Sequence, residues 1–179
     1  MEIRCSDFIP FPKEVVFRIY RDRLAELADY LPNIRRIDVL SREGSGPEVK
    51  IVNIWHATGQ IPAVAQRFVK PEMLRWTDRA RWDEREWRCY WDLEPHFFTR
   101  NVRCSGVNYF EDEAGGMRLT ITGRLDVTIK GLKGVPSFLD RAISPQIERF
   151  VVSLITPNLR SVNQGLVKFL DDLRQKGEI

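Results

Sequence analysis

The sequence has few of the residues that build disulfide frameworks or metal sites. It contains three cysteines and two histidines in 179 residues. Cys5, Cys89 and Cys104 are far apart, odd in number and never in a C-x-x-C pair, so we expect reduced, buried thiols. His56 and His96 each lack a second histidine or a cysteine at metal-ligand spacing, and this argues against a metal site.

Long hydrophobic runs are also missing. No stretch approaches the roughly 18 uncharged apolar residues that a membrane span needs, and the opening MEIRCSDFIPFP does not resemble a signal peptide. We therefore expect a soluble, cytoplasmic protein. The length is ordinary for one domain with its own core, so residues 1–179 are predicted to form a single ligand-binding domain.

Neither sign of charge dominates, because 28 lysines and arginines face 25 acidic residues. Arginines in the middle of the chain alternate with acidic residues, as is typical of a solvated, cross-strand-paired face rather than a nucleic-acid groove. They are Arg75, Arg79, Arg81, Arg85, Arg88, Arg100 and Arg103, interleaved with Asp78, Asp83, Glu84, Glu86, Asp92 and Glu94. We expect no nucleic-acid partner. A transient contact of these faces and of residues 61–73 with an anionic membrane is the less favoured alternative.

Sequence signatures of common catalytic and cofactor sites are absent. There is no Ser-His-Asp order, P-loop, paired-carboxylate motif or glycine-rich dinucleotide turn, so no cofactor is predicted. Gly115 and Gly116 indicate a hairpin turn. Gly131 and Gly134, with Pro136, indicate a linker rather than a phosphate cradle.

The hydrophobic pattern predicts a strand, two short helices, about six further strands and one long helix. Residues 117–129 form the clearest strand, whose inward row is interrupted by Gly123, where a bulge or bend is expected. Residues 61–73 are less regular and indicate a short helix or a lid. Apolar spacings of three and four run from residue 139 to 173, and Pro157 predicts a kink there.

This order of elements predicts an α+β fold with an interior space. An antiparallel sheet of six or seven strands must bury its apolar face, and the long C-terminal helix is the later element able to cover it. One helix about 10 Å wide cannot fill the concave side of a strongly twisted sheet. Either large side chains or a ligand must fill the rest.

Two motifs and the closing helix resemble the START-related superfamily, also called SRPBCC, which includes polyketide cyclases and birch-pollen-allergen-like proteins. The motifs are F-x-P-F-P-K-E-V-V-F at residues 8–17 and L-T-I-T-G-R-L-D-V-T-I at residues 119–129. The resemblance implies a helix-grip fold, a curved sheet around a long C-terminal helix, with a deep apolar pocket between them. Residues 61–68 are also loosely similar to the helical lid of PRELI-type lipid-transfer proteins.

Tryptophan is concentrated in one part of the chain. Trp55, Trp76, Trp82, Trp87 and Trp91 fall within 37 consecutive residues. Core packing and a ring-lined pocket wall explain them equally well. Asn53, Arg100, Asn108 and Tyr109 are the candidates for orienting a ligand, and an inward Arg100 would favour an anionic one. The predicted ligand-binding residues are Asn53, Trp55, Trp76, Trp87, Trp91, His96, Arg100, Tyr109, Phe150 and Leu154.

Three functions remain open from the sequence. The first is binding or transport of a lipid or another apolar small molecule in the cavity. The second is a cyclase, aromatase or dehydratase acting on a polyketide-like chain, with His56, Asp92, His96 and Tyr109 as candidate proton-transfer groups. The third is an interaction protein whose cavity is filled by its own tryptophans.

Overall fold

Seven strands form one antiparallel sheet in the computed structural model of the chain, which describes residues 1–66, 69–128 and 137–179. The strands are β1 (Glu2–Ile9), β2 (Ile34–Glu43), β3 (Glu48–Ala57), β4 (Arg75–Asp83), β5 (Arg88–Pro95), β6 (Val102–Glu113) and β7 (Gly116–Val127). Their spatial order is β1-β7-β6-β5-β4-β3-β2. The chain therefore runs as a meander from β2 to β7, and β1 pairs with the last strand, as the α+β prediction requires.

The helices also follow the predicted order. They are α1 (Lys13–Asp22), α2 (Leu24–Leu27), α3 (Ala63–Gln66) and α4 (Ser137–Gln175), with 3₁₀ turns at Ala28–Tyr30 and Pro71–Met73. Helix α4 starts and ends two residues beyond the predicted limits and continues through Pro157, where the kink stays a prediction. The linker at residues 131–136 lies outside the described residues. Within the described parts, no helix combines the length and apolar character needed to cross a bilayer.

The core lies between the concave face of the sheet and α4. On β7, Met117, Leu119, Ile121 and Leu125 of the predicted inward row are at most 1% exposed. Val127 of that row is half-buried, and Ile129 lies outside the described residues. Asn163 of α4 ties the helix to the sheet, because its Nδ2 donates to Asp7 Oδ2 at 2.7 Å and to the Leu119 carbonyl at 3.2 Å. Helix α4 is thus held near its middle against the β1–β7 side of the sheet.

Gly123 has a different role from the predicted one. Pairing runs without a register shift through Ile3↔Gly123 and Gly106↔Gly123, so Gly123 forms no bulge, and the bend that was the predicted alternative stays a prediction. A Cβ atom on Gly123 would lie 2.6 Å from Trp91 Cη2, and one on Gly106 would lie 2.3 Å from Trp91 Cζ2. The two glycines leave room for the Trp91 indole to lie across β6 and β7.

Candidate functional site

An interior cavity lies between the middle strands, the N-terminal helices and α4. Its free volume is about 40 Å³, enough for a few water molecules. The wall consists of Tyr20, Leu24, Trp55, Trp76, Asp78, Ala80, Trp82, Cys89, Trp91, Leu93, Asn108, Ile121, Asn158, Leu159 and Val162. The wall is mainly apolar, and four of the five tryptophans of the chain belong to it.

Strand alternation and register bring these rings together. Trp55 of β3 is directly opposite Trp76 of β4, and successive side chains of a strand point to opposite faces. Their rings are stacked, with centroids 6.0 Å apart and planes 18° apart. Trp91 of β5 adds a third ring across the sheet. We call the rings of Trp55, Trp76 and Trp91 the tryptophan floor of the cavity.

Asp78 is the buried carboxyl group of this wall. It lies on the same face of β4 as Trp76 and Ala80 and is only 6% exposed. Its Oδ2 accepts hydrogen bonds from Asn53 Nδ2 and Trp55 Nε1, each at 3.2 Å. Burial raises the pKa of Asp78 to about 6, although these two hydrogen bonds favour the charged form.

Two further polar groups are held in place by neighbours. Trp91 Nε1 donates to Asn108 Oδ1 at 2.8 Å. Asn108 Nδ2 donates to the Tyr20 hydroxyl at 3.5 Å. Burial raises the pKa of Tyr20 well above its usual value, so the phenol remains neutral in the cavity wall.

Several polar atoms of the wall have no partner in the described parts of the chain. They are Asp78 Oδ1, Asn158 Oδ1 and Trp82 Nε1. Asn158 is 2% exposed, and its Nδ2 donates to the Leu154 carbonyl within α4 at 2.7 Å. Buried polar atoms usually have a hydrogen-bond partner, because a buried hydrogen bond that is left unmade costs about 1–3 kcal/mol. The side chains of the cavity wall thus carry two acceptors and one donor that have no hydrogen-bond partner among the described residues.

A second, outer cavity of about 160 Å³ adjoins the first at Asn158, which lines both. Its other lining residues are Asn33, Thr58, Gly59, Gln60, Phe150, Ser153 and Leu154. It lies between α4 and the segment that follows β3. Since Gly59 and Gln60 are exposed, the outer cavity opens towards solvent.

Six of the predicted ligand-binding residues surround these two cavities. Trp55, Trp76 and Trp91 line the inner one, and Phe150 and Leu154 line the outer one. Asn53 is fully buried behind the wall and contacts Asp78. The parity of the strands and the spacing of α4 explain why these side chains face the interior, and their role in ligand binding stays a prediction.

The other four predicted residues lie elsewhere. Trp87 occupies the β4–β5 turn with a φ of 53° and packs on Phe17. His96 Nε2 is 2.8 Å from Thr77 Oγ1. Tyr109 lies under the Arg88 guanidinium. Arg100 is exposed, so the inward position in which it would favour an anionic ligand is not the one it has.

The remaining candidate proton-transfer groups are also outside the cavity. His56 Nε2 is 2.8 Å from Asp38 Oδ2 on the outer face, and Asp92 is exposed. Asp78, which the alternating charges assigned to a solvated face, is instead a buried acid in the cavity wall. Its even position, shared with Trp76 and Trp82, is the signal that identifies it.

The described residues contain no metal-binding cluster and no disulfide. No group of three histidine, cysteine or acidic side chains is placed to hold a metal ion there. The cysteines form no disulfide. Burial raises the pKa of Cys5 and Cys104 to about 12 and that of Cys89 well above its usual value. These thiols are protonated near neutral pH and are poor nucleophiles.

Known proteins resemble this chain in structure. No family model and no curated protein matches the sequence. The protein TTHA0849 from Thermus thermophilus is 24% identical, with a TM-score of 0.65 over 94% of this chain and 95% of that one. The Zhui aromatase/cyclase from Streptomyces sp. R1128 is 15% identical, with a TM-score of 0.70 over 97% and 94%. Ara h 8.0201 is 13% identical, with a TM-score of 0.53 over 94% and 98%.

At these identities the likeness concerns the fold. The matches extend over nearly the whole of each chain, so they include both the curved sheet and the closing helix between which the cavities lie. The chain therefore shares the fold of these proteins, a curved antiparallel sheet closed by a long C-terminal helix, and this is the helix-grip fold that its sequence predicts.

Proposed function

We propose that this protein binds an aromatic or similarly apolar small molecule between the sheet and α4. The observation that carries the proposal is the floor of Trp55, Trp76 and Trp91 beside buried polar atoms that lack partners. Ligand sites are typically apolar with a few well-placed polar groups. This wall has that composition.

The polar atoms define the ligand further. Asp78 Oδ1 and Asn158 Oδ1 are acceptors, so the favoured ligand carries a hydroxyl or another hydrogen-bond donor on an apolar body. A ligand without a donor leaves both acceptors unpaired and binds less tightly. A hydroxylated aromatic compound fits these requirements, and a simple saturated chain fits them less well.

The size of the cavity sets a condition on binding. Pockets for drug-sized ligands measure about 300–1,000 Å³, whereas the inner cavity measures about 40 Å³. A ligand of that size must therefore extend into the outer cavity past Asn158 or displace the tryptophan rings. A small inner cavity is also expected of an interaction protein whose own tryptophans fill the space. Whether a ligand occupies the cavity is therefore the decisive measurement.

Native mass spectrometry of freshly purified protein, followed by solvent extraction, tests occupancy directly. A second measurement compares 2-naphthol with naphthalene and follows the tryptophan indole N–H signals by NMR. We expect 2-naphthol to bind more tightly and to shift the signals of Trp55 and Trp91, while Trp87 in its turn stays unchanged. Absence of a copurifying compound together with unmoved Trp55 and Trp91 signals would contradict the proposal.

A proton-transfer enzyme of the cyclase, aromatase or dehydratase kind is the second candidate. Asp78 favours it, because a buried carboxyl group with a pKa of about 6 can hold or release a proton near neutral pH. One structural neighbour is named an aromatase/cyclase. In this second candidate function, Asp78 acts on a polyketide-like chain held against the tryptophan floor.

Asp78→Asn separates the two candidates. The amide keeps the shape of the side chain and still accepts a hydrogen bond, but it cannot exchange a proton in this range. A carrier retains its binding of hydroxylated aromatics within a few fold. An enzyme retains binding and loses turnover of linear polyketide-like substrates by about 10²–10⁴-fold, measured by product analysis. Unchanged turnover in Asp78→Asn would exclude Asp78 as the catalytic group.

A further inference from the structure

A second candidate binding site lies on the outer face of the sheet, away from the tryptophan floor. A groove of about 450 Å³ opens beside the start of β4. We call it the basic groove and define it by Arg35, Arg36, His56, Pro71, Glu72 and Arg75, all of which line it. Unlike the interior cavity, its lining is mainly polar.

Strand register places three basic side chains of the groove in one row. Arg36 of β2 is directly opposite His56 of β3, which is directly opposite Arg75 of β4. Neighbouring strands lie about 4.8 Å apart, and like charges placed opposite each other across strands are destabilising. Such a row calls for negative charge beside it.

Within the described residues, the ion pairs of this row are found at its Arg36 and His56 end. Asp38 Oδ2 lies 3.2 Å from the Arg36 guanidinium and 2.8 Å from His56 Nε2. Glu72 also lines the groove. Without counting His56, the three arginines of the groove exceed these two carboxylates by one positive charge.

Arg75 is the unpaired end of the row. Within the described residues no carboxylate lies within 4 Å of its guanidinium, and its Nε is buried without a hydrogen-bond partner. Arginines further along the same face of β4 are paired, Arg79 with Glu94 at 2.9 Å and Arg81 with Glu48 at 3.2 Å. Arg35 is exposed and, in the described parts of the chain, equally unpaired.

We propose that the basic groove binds a phosphate group. A guanidinium presents a planar fork of donors that matches phosphate oxygens, and Arg75 has such donors free at the bottom of the groove. A phosphate bound to the Arg75 guanidinium supplies the negative charge that the row lacks. Because the groove and the interior cavity lie on opposite faces of the sheet, this proposal does not rest on the proposed function.

Calorimetric titration with inorganic pyrophosphate at low salt tests the site. We expect wild-type protein to bind, and Arg75→Gln to weaken binding about tenfold or more, since a charge-assisted hydrogen bond is lost. The matched control is Arg79→Gln, which removes an arginine from the same face of the same strand and changes the net charge equally. It should bind within about twofold of wild type.

Arg35→Gln serves as a second variant, because Arg35 is exposed and its loss does not threaten folding. It should weaken pyrophosphate binding several-fold even if Arg75→Gln proves unstable in a thermal melt. Equal weakening by Arg75→Gln and Arg79→Gln would reduce the effect to general charge attraction and overturn the proposal. Failure of the wild-type protein to bind either pyrophosphate or vesicles that contain phosphatidic acid would overturn it as well.

A vesicle arm identifies the source of the phosphate. Phosphatidylcholine vesicles with and without phosphatidic acid are sedimented with wild-type protein and with both β4 variants. Sedimentation that requires phosphatidic acid and Arg75 assigns the groove to a lipid headgroup. Pyrophosphate binding that depends on Arg75, without sedimentation, assigns it to a soluble phosphate compound.

Discussion

Asp78 shows how the surroundings of one side chain decide its chemistry. The sequence places it among alternating charges, yet its parity on β4 turns it into the core beside Asn53 and Trp55. Burial opposes the charged form, so the pKa rises to about 6. Between the ordinary carboxyl pKa and 6, the folded protein therefore holds a proton that the unfolded chain releases.

This shift predicts a definite pH dependence of stability. Because the folded state binds more protons, the free energy of unfolding should fall as pH rises from about 4 to about 6, by up to about 3 kcal/mol, and the Asp78 contribution should level off above that. In Asp78→Asn this pH-dependent contribution to the free energy of unfolding is missing. The difference in unfolding free energy between variant and wild type should therefore move in favour of the variant over the same range.

Urea unfolding at several pH values from about 4.5 to about 8 measures this difference. Asp92→Asn is a useful control, since it removes a carboxyl group that is exposed on the neighbouring strand β5, where Asp92 is opposite Arg79. A difference between Asp78→Asn and wild type that stays constant over the whole range would refute the raised pKa.

At the scale of elements, β5, β6 and β7 pack through one indole ring. Trp91 of β5 lies across the directly paired glycines of β6 and β7, Gly106 and Gly123. Its Nε1 is then positioned to donate to Asn108 on β6. The glycines are required by the close approach of this ring, and the ring forms part of the cavity floor.

Gly123→Ala should therefore destabilise the protein by about 1–3 kcal/mol, because the new Cβ would be 2.6 Å from the Trp91 ring and must displace it. Urea unfolding measures the loss, and the Trp91 indole N–H signal should shift as its bond to Asn108 is strained. Gly46→Ala is the control, since its Cβ would meet nothing within 4 Å. Equal effects of both substitutions would contradict the packing role of Gly123.

For the whole molecule, the packing of α4 against the sheet determines whether a ligand fits between them. The helix is tied to β1 and β7 through Asn163, while Asn158, one turn and a residue earlier, separates the inner from the outer cavity. Binding in the enlarged pocket stabilises the folded state by mass action, because the unfolded chain has no pocket.

At 2-naphthol concentrations about tenfold above its Kd, this stabilisation amounts to about 1.4 kcal/mol. For a chain of this size it should raise Tm by about 3–6 °C. Ala80→Leu places three more side-chain carbon atoms in the inner cavity and should abolish the rise in Tm that 2-naphthol causes. Ala114→Leu, the same substitution at an exposed turn position, should preserve it. An equal shift in both variants would place the ligand elsewhere.

Much of this architecture was predictable from local patterns. Alternation along β4, β5 and β7 identified the inward faces, and the spacing of apolar residues identified α4 within two residues at each end. The prediction was weaker where a residue belongs to a turn. Trp87 and Arg100 follow the strand periodicity in the sequence, but both lie where the chain turns between strands, so that parity no longer sets their direction.

Local sequence specifies which side chains face inward and that one long helix covers them, because these follow from periods of two and 3.6 residues. Which of those side chains meet is established only in the assembled fold. Asp78 acquires its pKa from its burial beside Asn53 and Trp55 of another strand, and Arg36, His56 and Arg75 become a row through the register of three strands. Local periodicity carries no information about the register between segments that are distant in the sequence. That register sets the distances between side chains, and the electrostatic effects depend on these distances.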